Sequence, residues 1–223
     1  MIFHPSIVIL IPGVILMYWA QSRVQGTYEK YSQVKSSLGL TGAQVAETIL
    51  QRMGVSGVRV EPVAGVLTDH YDPTAKAVRL SQGIYGSSSL SAAAVAAHEC
   101  GHVLQDVKGY SPMNLRAAIV PAANFGSQLG PLLVLGGILF NATGLINVGI
   151  VLFAAVIAFH LVTLPVEFDA SRRALKLVDE LGILQGDERD GARQVLNAAA
   201  WTYVATALYA ILQLIQLLMM RRD

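Results

Sequence analysis

The sequence predicts a mainly α-helical integral membrane protein of about four spans, with an α+β domain at the membrane surface that carries a small β-sheet. Three observations predict it. First, charge is segregated. Ile2–Ser22, Ala117–Val166 and Gln194–Met220 contain no Asp, Glu, Lys or Arg over 21, 50 and 27 residues. The other 125 residues carry all 31 charges, or 25%, which is the density of an ordinary soluble domain. Second, these runs match the ~20 apolar residues needed to cross about 30 Å of hydrocarbon. Third, the polar stretch between the first two runs changes from helical to alternating hydrophobic periodicity. The formal charge of +1 and the absence of a basic face exclude a nucleic-acid binder, and a single cysteine excludes an intramolecular disulfide framework.

The elements follow in order. Ile2–Ala20 reads as the first span, opened by His4, with Tyr18 and Trp19 as interfacial aromatics and Arg23 just beyond. No positively charged stretch precedes it, so it is expected to be a retained anchor, not a cleaved signal. The 50-residue run holds two spans, near Ile119–Phe140 and Leu145–Leu164, turned by Asn141, Thr143 and Gly144. Pro121, Gly126, Gly130 and Pro131 predict a kink or break in the first of these. Val195–Met220 is the fourth span. The expected division is therefore 1–22 anchor, 23–116 surface domain, 117–166 membrane hairpin, 167–193 polar helix and 194–223 C-terminal span.

Four spans place Arg23–Arg116 and Glu167–Arg193 on one side, with 9 and 5 Lys/Arg residues. The excess of positive charge near membrane segments assigns that side to the cytoplasm, with Arg221 and Arg222 opposite. The location expected is a bacterial plasma membrane, multi-pass.

Within 23–116, residues 24–39 read as a surface helix leaving the first span. Thr41 and Gln44 form a capping box for a helix carrying Val45, Ile49 and Met53 on one face and ending at Gly54. Val58, Val60 and Val63 then alternate with Arg59 and Glu61. Val66–Tyr71 and Ala77–Leu80 read as a hairpin turning at Asp72-Pro73. After a Gly/Ser-rich stretch, Gly83–Ser89, a helix runs from Ser89 or Ser91 to about Asp106.

That last helix contains His98-Glu99-Cys100-Gly101-His102. Histidines four apart lie one turn apart on one face and can grip one metal ion, while Glu99 can take a proton from a metal-activated water. Cys100 points away from that face and reads as a small buried hydrophobe. Asp106, four residues after His102, reads as a helix-end carboxylate or as a hydrogen-bond partner of that histidine. A catalytic zinc site ordinarily has three protein ligands. The remaining candidates are His4, His70, His160 and the acids. Of these acids the strongest is Glu167, the first charge after 50 residues without one. Its other reading is an N-terminal helix acid complementing the dipole of the segment from Pro165 onward.

The segments Leu67-Thr-Asp-His-Tyr-Asp-Pro73, Val78-Arg-Leu-Ser81, Ala96-Ala-His-Glu-Cys-Gly-His102 and Leu164-Pro-Val-Glu-Phe-Asp-Ala-Ser-Arg-Arg-Ala-Leu175 together resemble the YugP-like neutral zinc metallopeptidases of bacterial membranes. The resemblance covers nearly the whole chain. It implies a zincin-like domain, Zn2+ as the metal, His98, His102 and Glu167 as its ligands and Glu99 as general base. More distantly the chain is similar to HtpX-type membrane proteases, which carry an acid four residues after the ligand Glu. Ser171 holds that position here, and the nearest acid is Asp169.

The function expected is a membrane-anchored, zinc-dependent endopeptidase, with a protein or peptide substrate, the lipid bilayer as its setting and no nucleic acid. His70, Tyr71 and Tyr110 are candidates to stabilise the oxyanion. Val66–Tyr71 or Ala77–Leu80 is the candidate edge for pairing with an extended substrate. Two other readings are an intramembrane-cleaving protease of the site-2 type, for which Asp190-Gly191 is the candidate ligand segment, and a catalytically idle zinc-bound scaffold.

Overall fold

The computed structural model describes residues 5–220, so His4, Arg221 and Arg222 lie outside the described residues. After a 3-10 turn at Pro5–Leu10 the chain forms α1 (Ile11–Ser32), α2 (Gly42–Arg52), β1 (Arg59–Val63), β2 (His70–Asp72), β3 (Ala77–Ser81), the short α3 (Gln82–Tyr85), α4 (Leu90–Val107), α5 (Ser111–Leu139), α6 (Thr143–Glu180) and α7 (Asp187–Met220). Pro5–Ser32, α5, α6 and α7 are long and apolar enough to cross a membrane. Among the described residues the protein is therefore mainly α-helical, with four membrane-length helices and one small sheet.

The chain divides into two compact units. One takes the chain up to Gln21, Ser111–Pro165 and the chain from Trp201. Its outside is apolar: Phe140, Val151 and Leu132 are 78%, 70% and 64% exposed, a surface suited to lipid. Its inside is a cluster of Val134, Ile146, Phe153, Ile157, Ala210 and Leu217. The α5–α6 hairpin turns at Asn141, which holds a left-handed φ of 52°. Helix α5 runs through Pro121 and Pro131 without interruption, so of the expected kink or break the break does not occur. Each proline removes one N–H from the ladder, and the rest of a 29-residue helix continues around the loss.

The other unit is Ser22–Tyr110 with Val166–Ala200. Its α2 begins with the capping box: Gln44 N donates to Thr41 Oγ1 at 3.3 Å and Thr41 N donates to Gln44 Oε1 at 2.9 Å. Val45, Ala46 and Ile49 are fully buried along one face. The sheet has the order β1-β3-β2, with β1 parallel and β2 antiparallel to β3. Ala77–Leu80 is thus the central strand and offers no free edge, which leaves β2 as the edge of the hairpin. Helix α4 is capped by Ser89, whose hydroxyl accepts from Ala92 N. Its alanines at 92–94, 96 and 97 are almost fully buried and let neighbouring elements come close.

Two further expectations are corrected. The helix expected over 24–39 is the continuation of α1 only as far as Ser32. From there the chain is irregular up to Thr41, tied down by Ser36 N on Ser88 O at 2.9 Å and Ser37 N on Glu188 Oε1 at 2.6 Å. The polar helix after the third span is not separate either, because α6 runs continuously from Thr143 to Glu180 through Pro165. Glu167 therefore sits deep inside a helix, where no free N–H groups await an acid. The dipole-capping reading of this residue falls.

Candidate metal centre

Helix α4 presents His98 and His102 one turn apart, their ring centroids 4.8 Å apart and their planes at 86°. Glu167 comes from α6. What lets the two helices meet is Gly101, between the histidines. A Cβ built there would lie 2.5 Å from Ala170 O and 3.1 Å from Ala170 Cα, so the α4 backbone packs directly on the α6 backbone. Ala170 follows Glu167 by one turn, and this contact sets the height of the carboxylate against the imidazoles.

His98, His102 and Glu167 each offer a ligand atom within 4.8 Å of the others, and among the described residues they form the group able to hold a metal ion. Glu167 Oε2 lies 3.2 Å from His98 Nε2 and 3.6 Å from His102 Nε2. A tetrahedral zinc ion bound at about 2.0–2.2 Å spaces its ligand atoms by roughly 3.3–3.6 Å. The nitrogen, nitrogen and oxygen donor set therefore suits zinc, and the two carboxylate–imidazole distances lie close to that spacing. Both imidazoles turn Nε2 toward the same carboxylate oxygen, and both have Nδ1 engaged on the other side. His98 Nδ1 meets Ser171 Oγ at 3.2 Å, and His102 Nδ1 meets Gln105 Oε1 at 3.0 Å. Such partners orient the imidazole of a metal-binding histidine.

Glu99 is buried, at 6% exposure. Burial raises its pKa, the two neighbouring imidazoles work against that rise, and Glu167 and Asp69 reinforce it. For His102, burial opposes protonation, but Glu167, Glu99 and Gln105 outweigh it and raise the pKa. Cys100 is fully buried, its thiol facing Ala46 O at 3.7 Å, on the α2 side and away from Glu167.

The other named residues lie as follows. His70 is exposed on the edge strand, its Nδ1 2.8 Å from Thr68 O. Tyr71 is buried and its hydroxyl donates to Asp106 Oδ2 at 2.6 Å. Asp106 also accepts from Lys76 Nζ, so this carboxylate joins the end of α4 to the sheet and is not a partner of His102. Tyr110 lies under the Arg173 guanidinium, 5.6 Å from it. His160 stacks edge-on to Phe159, at 5.6 Å between centroids, and Asp190 pairs with Arg193 at 3.5 Å. None of these belongs to the three-residue group.

Sequence reasoning missed Gln105, and it noted Ser171 only as a position without an acid, not as a partner of His98. Their signals were present: Gln105 is three residues after His102, and Ser171 four after Glu167, so each shares a helix face with a ligand candidate. It also missed Asp69, which accepts from Ser81 N at 2.7 Å and Ser81 Oγ at 3.0 Å.

Residues 6–222 match the family described as "Putative neutral zinc metallopeptidase". The chain belongs to this family. It is also 48% identical over 204 residues to "Putative membrane protease YugP" of Bacillus subtilis (strain 168), covering 92% of this chain and 91% of that relative. No solved structure matches.

Proposed function

We propose that the protein is a membrane-anchored, zinc-dependent endopeptidase in which His98, His102 and Glu167 hold the metal and Glu99 is the general base. The observation that carries this reading is the convergence of one ligand atom each from His98, His102 and Glu167 within 4.8 Å, in a member of a zinc metallopeptidase family. Bound zinc would lower the pKa of a water to about 7 and polarise the scissile carbonyl.

The chain's own residues do the rest. Glu99 takes a proton from the attacking water and delivers it to the leaving amine. Its buried carboxyl, with a pKa above the ordinary value, is suited to both transfers. An extended peptide pairs along the free edge of β2, which brings its backbone past His70 and Tyr71. These two are the proposed oxyanion donors, Tyr71 by releasing its hydroxyl from Asp106. The substrate is a protein or peptide. The surface domain, 23–116 with 167–193, faces the cytoplasm from a bacterial plasma membrane, held by the anchor, the hairpin and the C-terminal span.

Purified full-length protein, the Glu99→Gln variant and the Glu167→Ala variant would be compared for bound zinc and for cleavage of a peptide library. Glu99→Gln keeps zinc and loses hydrolysis by a factor of about 10²–10⁴. Glu167→Ala loses both. Wild-type rates in Glu99→Gln would remove the general-base assignment, and stoichiometric zinc in Glu167→Ala would remove the ligand assignment. A wild-type protein that binds zinc but cleaves nothing would favour a scaffold.

A further inference from the structure

Gln105 is fully buried in α4, where an apolar residue would pack without any polar obligation. Its amide is instead used on both ends. Nε2 donates to Val166 O at 2.8 Å and to Asp169 Oδ2 at 3.0 Å, both on α6. Oε1 faces His102 Nδ1 at 3.0 Å. The amide can sit only one way round. Reversed, its oxygen would meet a carbonyl and a carboxylate, which are acceptors only, and two donors would be lost. Asp169 is itself held by Arg173 Nε, so the acceptor that orients the amide is fixed in turn.

With Oε1 committed toward the ring, His102 Nδ1 must be the nitrogen that carries the proton. In the neutral imidazole the lone pair is then on Nε2, on the side of Glu167. Ser171 does not constrain His98 in the same way, because a hydroxyl both donates and accepts.

We infer that Gln105 is a positioning residue for the metal: locked by Asp169 and Val166 O, it holds His102 in the Nδ1–H tautomer with the Nε2 lone pair toward the metal position. It also ties that ligand to the helix that supplies Glu167. The inference rests on the ligand reading proposed above and adds a residue to it.

The test uses full-length protein in detergent, with zinc affinity measured by competition against a chromophoric chelator and melting temperature measured on the zinc-free form. Gln105→Leu removes the acceptor and lowers zinc affinity 10–100-fold. The double exchange Gln105→Glu with Asp169→Asn keeps total charge and returns an acceptor to Nδ1, with the Asn amide now donating. It recovers most of the 10–100-fold affinity lost in Gln105→Leu, even though it melts lower than wild type through the lost donor to Val166 O. A purely structural role would make zinc affinity follow melting temperature in both proteins, and that result overturns the inference. So does wild-type affinity in Gln105→Leu. If neither variant folds, the ¹⁵N spectrum of zinc-loaded wild type decides: a proton on His102 Nδ1 supports the inference, and a proton on Nε2 overturns it. Wild type that takes up no zinc would overturn the ligand reading, and this inference with it, whereas equal zinc loss in both variants overturns this inference alone.

Discussion

Gly101→Ala is the smallest change that should take the proposed metal centre apart. The added methyl carbon would start 2.5 Å from Ala170 O, and Cβ atoms essentially never approach closer than 3.0 Å. The neighbour is helix backbone and has no rotamer to change. Helices α4 and α6 must therefore separate locally by at least about 0.5 Å, while metal–ligand distances tolerate only about ±0.2 Å. Glu167 is one turn from Ala170 and moves with it, so its oxygen leaves bonding range of an ion held by the two histidines. Overpacking of this kind also costs about 1–3 kcal/mol.

The expected outcome is a lower melting temperature and a zinc affinity reduced at least about tenfold, the lower bound seen when a ligand's support is disturbed. Gly26→Ala is the control. Gly26 lies in α1 with nothing within 4 Å of its added methyl, and alanine there should stabilise by about 0.5–1 kcal/mol through helix propensity. Zinc content by elemental analysis after dialysis against graded chelator, with thermal melts alongside, reads both effects. Gly101→Ala with wild-type zinc affinity would show that the helix contact does not set ligand geometry.

Two other predictions concern the surface domain and its orientation. Burial works to raise the Asp106 pKa, but Lys76 and Tyr71 outweigh it and hold the carboxyl below its ordinary value. A depressed carboxylate contributes stability above its unfolded pKa of about 3.9 and loses it as pH falls toward the folded value. Asp106→Asn should thus destabilise at pH 7 and match wild type progressively better on acidification below pH ~4; a difference between the two proteins that does not change with pH would contradict this. For orientation, Thr74→Cys should resist a membrane-impermeant thiol reagent in intact cells and Thr143→Cys should react, since native Cys100 is buried and silent; the opposite labelling pattern would invert the topology.

What the sequence made legible were features written in local order. The capping box needs only Thr41 and Gln44 three apart, and both of its bonds are present. The two histidines need only helical spacing, and α4 supplies it. The uncharged runs needed only length. The features that stayed hidden depend on distant partners or on a close energetic balance. Whether Pro165 starts a helix or sits inside one turns on a single lost hydrogen bond against a ladder of 38 residues, and the ladder wins. The central place of β3 depends on β1 crossing to pair with it in parallel, which no hairpin signal announces. Gln105 and Ser171 look like ordinary polar helix residues until their partners across the helix pair are known.

The pentad His-Glu-Cys-Gly-His packs against neighbours on more than one side, and this explains why it sits in the middle of a buried helix. His98 and His102 turn toward Glu167, and Glu99 is buried beside them. Cys100 faces α2 through Ala46, and Gly101 takes the α6 backbone at Ala170. An exposed helix could present the same histidines, but it could not bring a second helix to within atomic contact or shield Glu99 from bulk solvent. Burying Glu99, His102, Glu167 and Gln105 together costs stability that a purely apolar interface would keep. The alanines of α4, the glycine contact and the amide bridge hold the helices together against that cost. The polar groups are thereby kept in one geometry, with one carboxylate oxygen 3.2 and 3.6 Å from the two imidazole nitrogens.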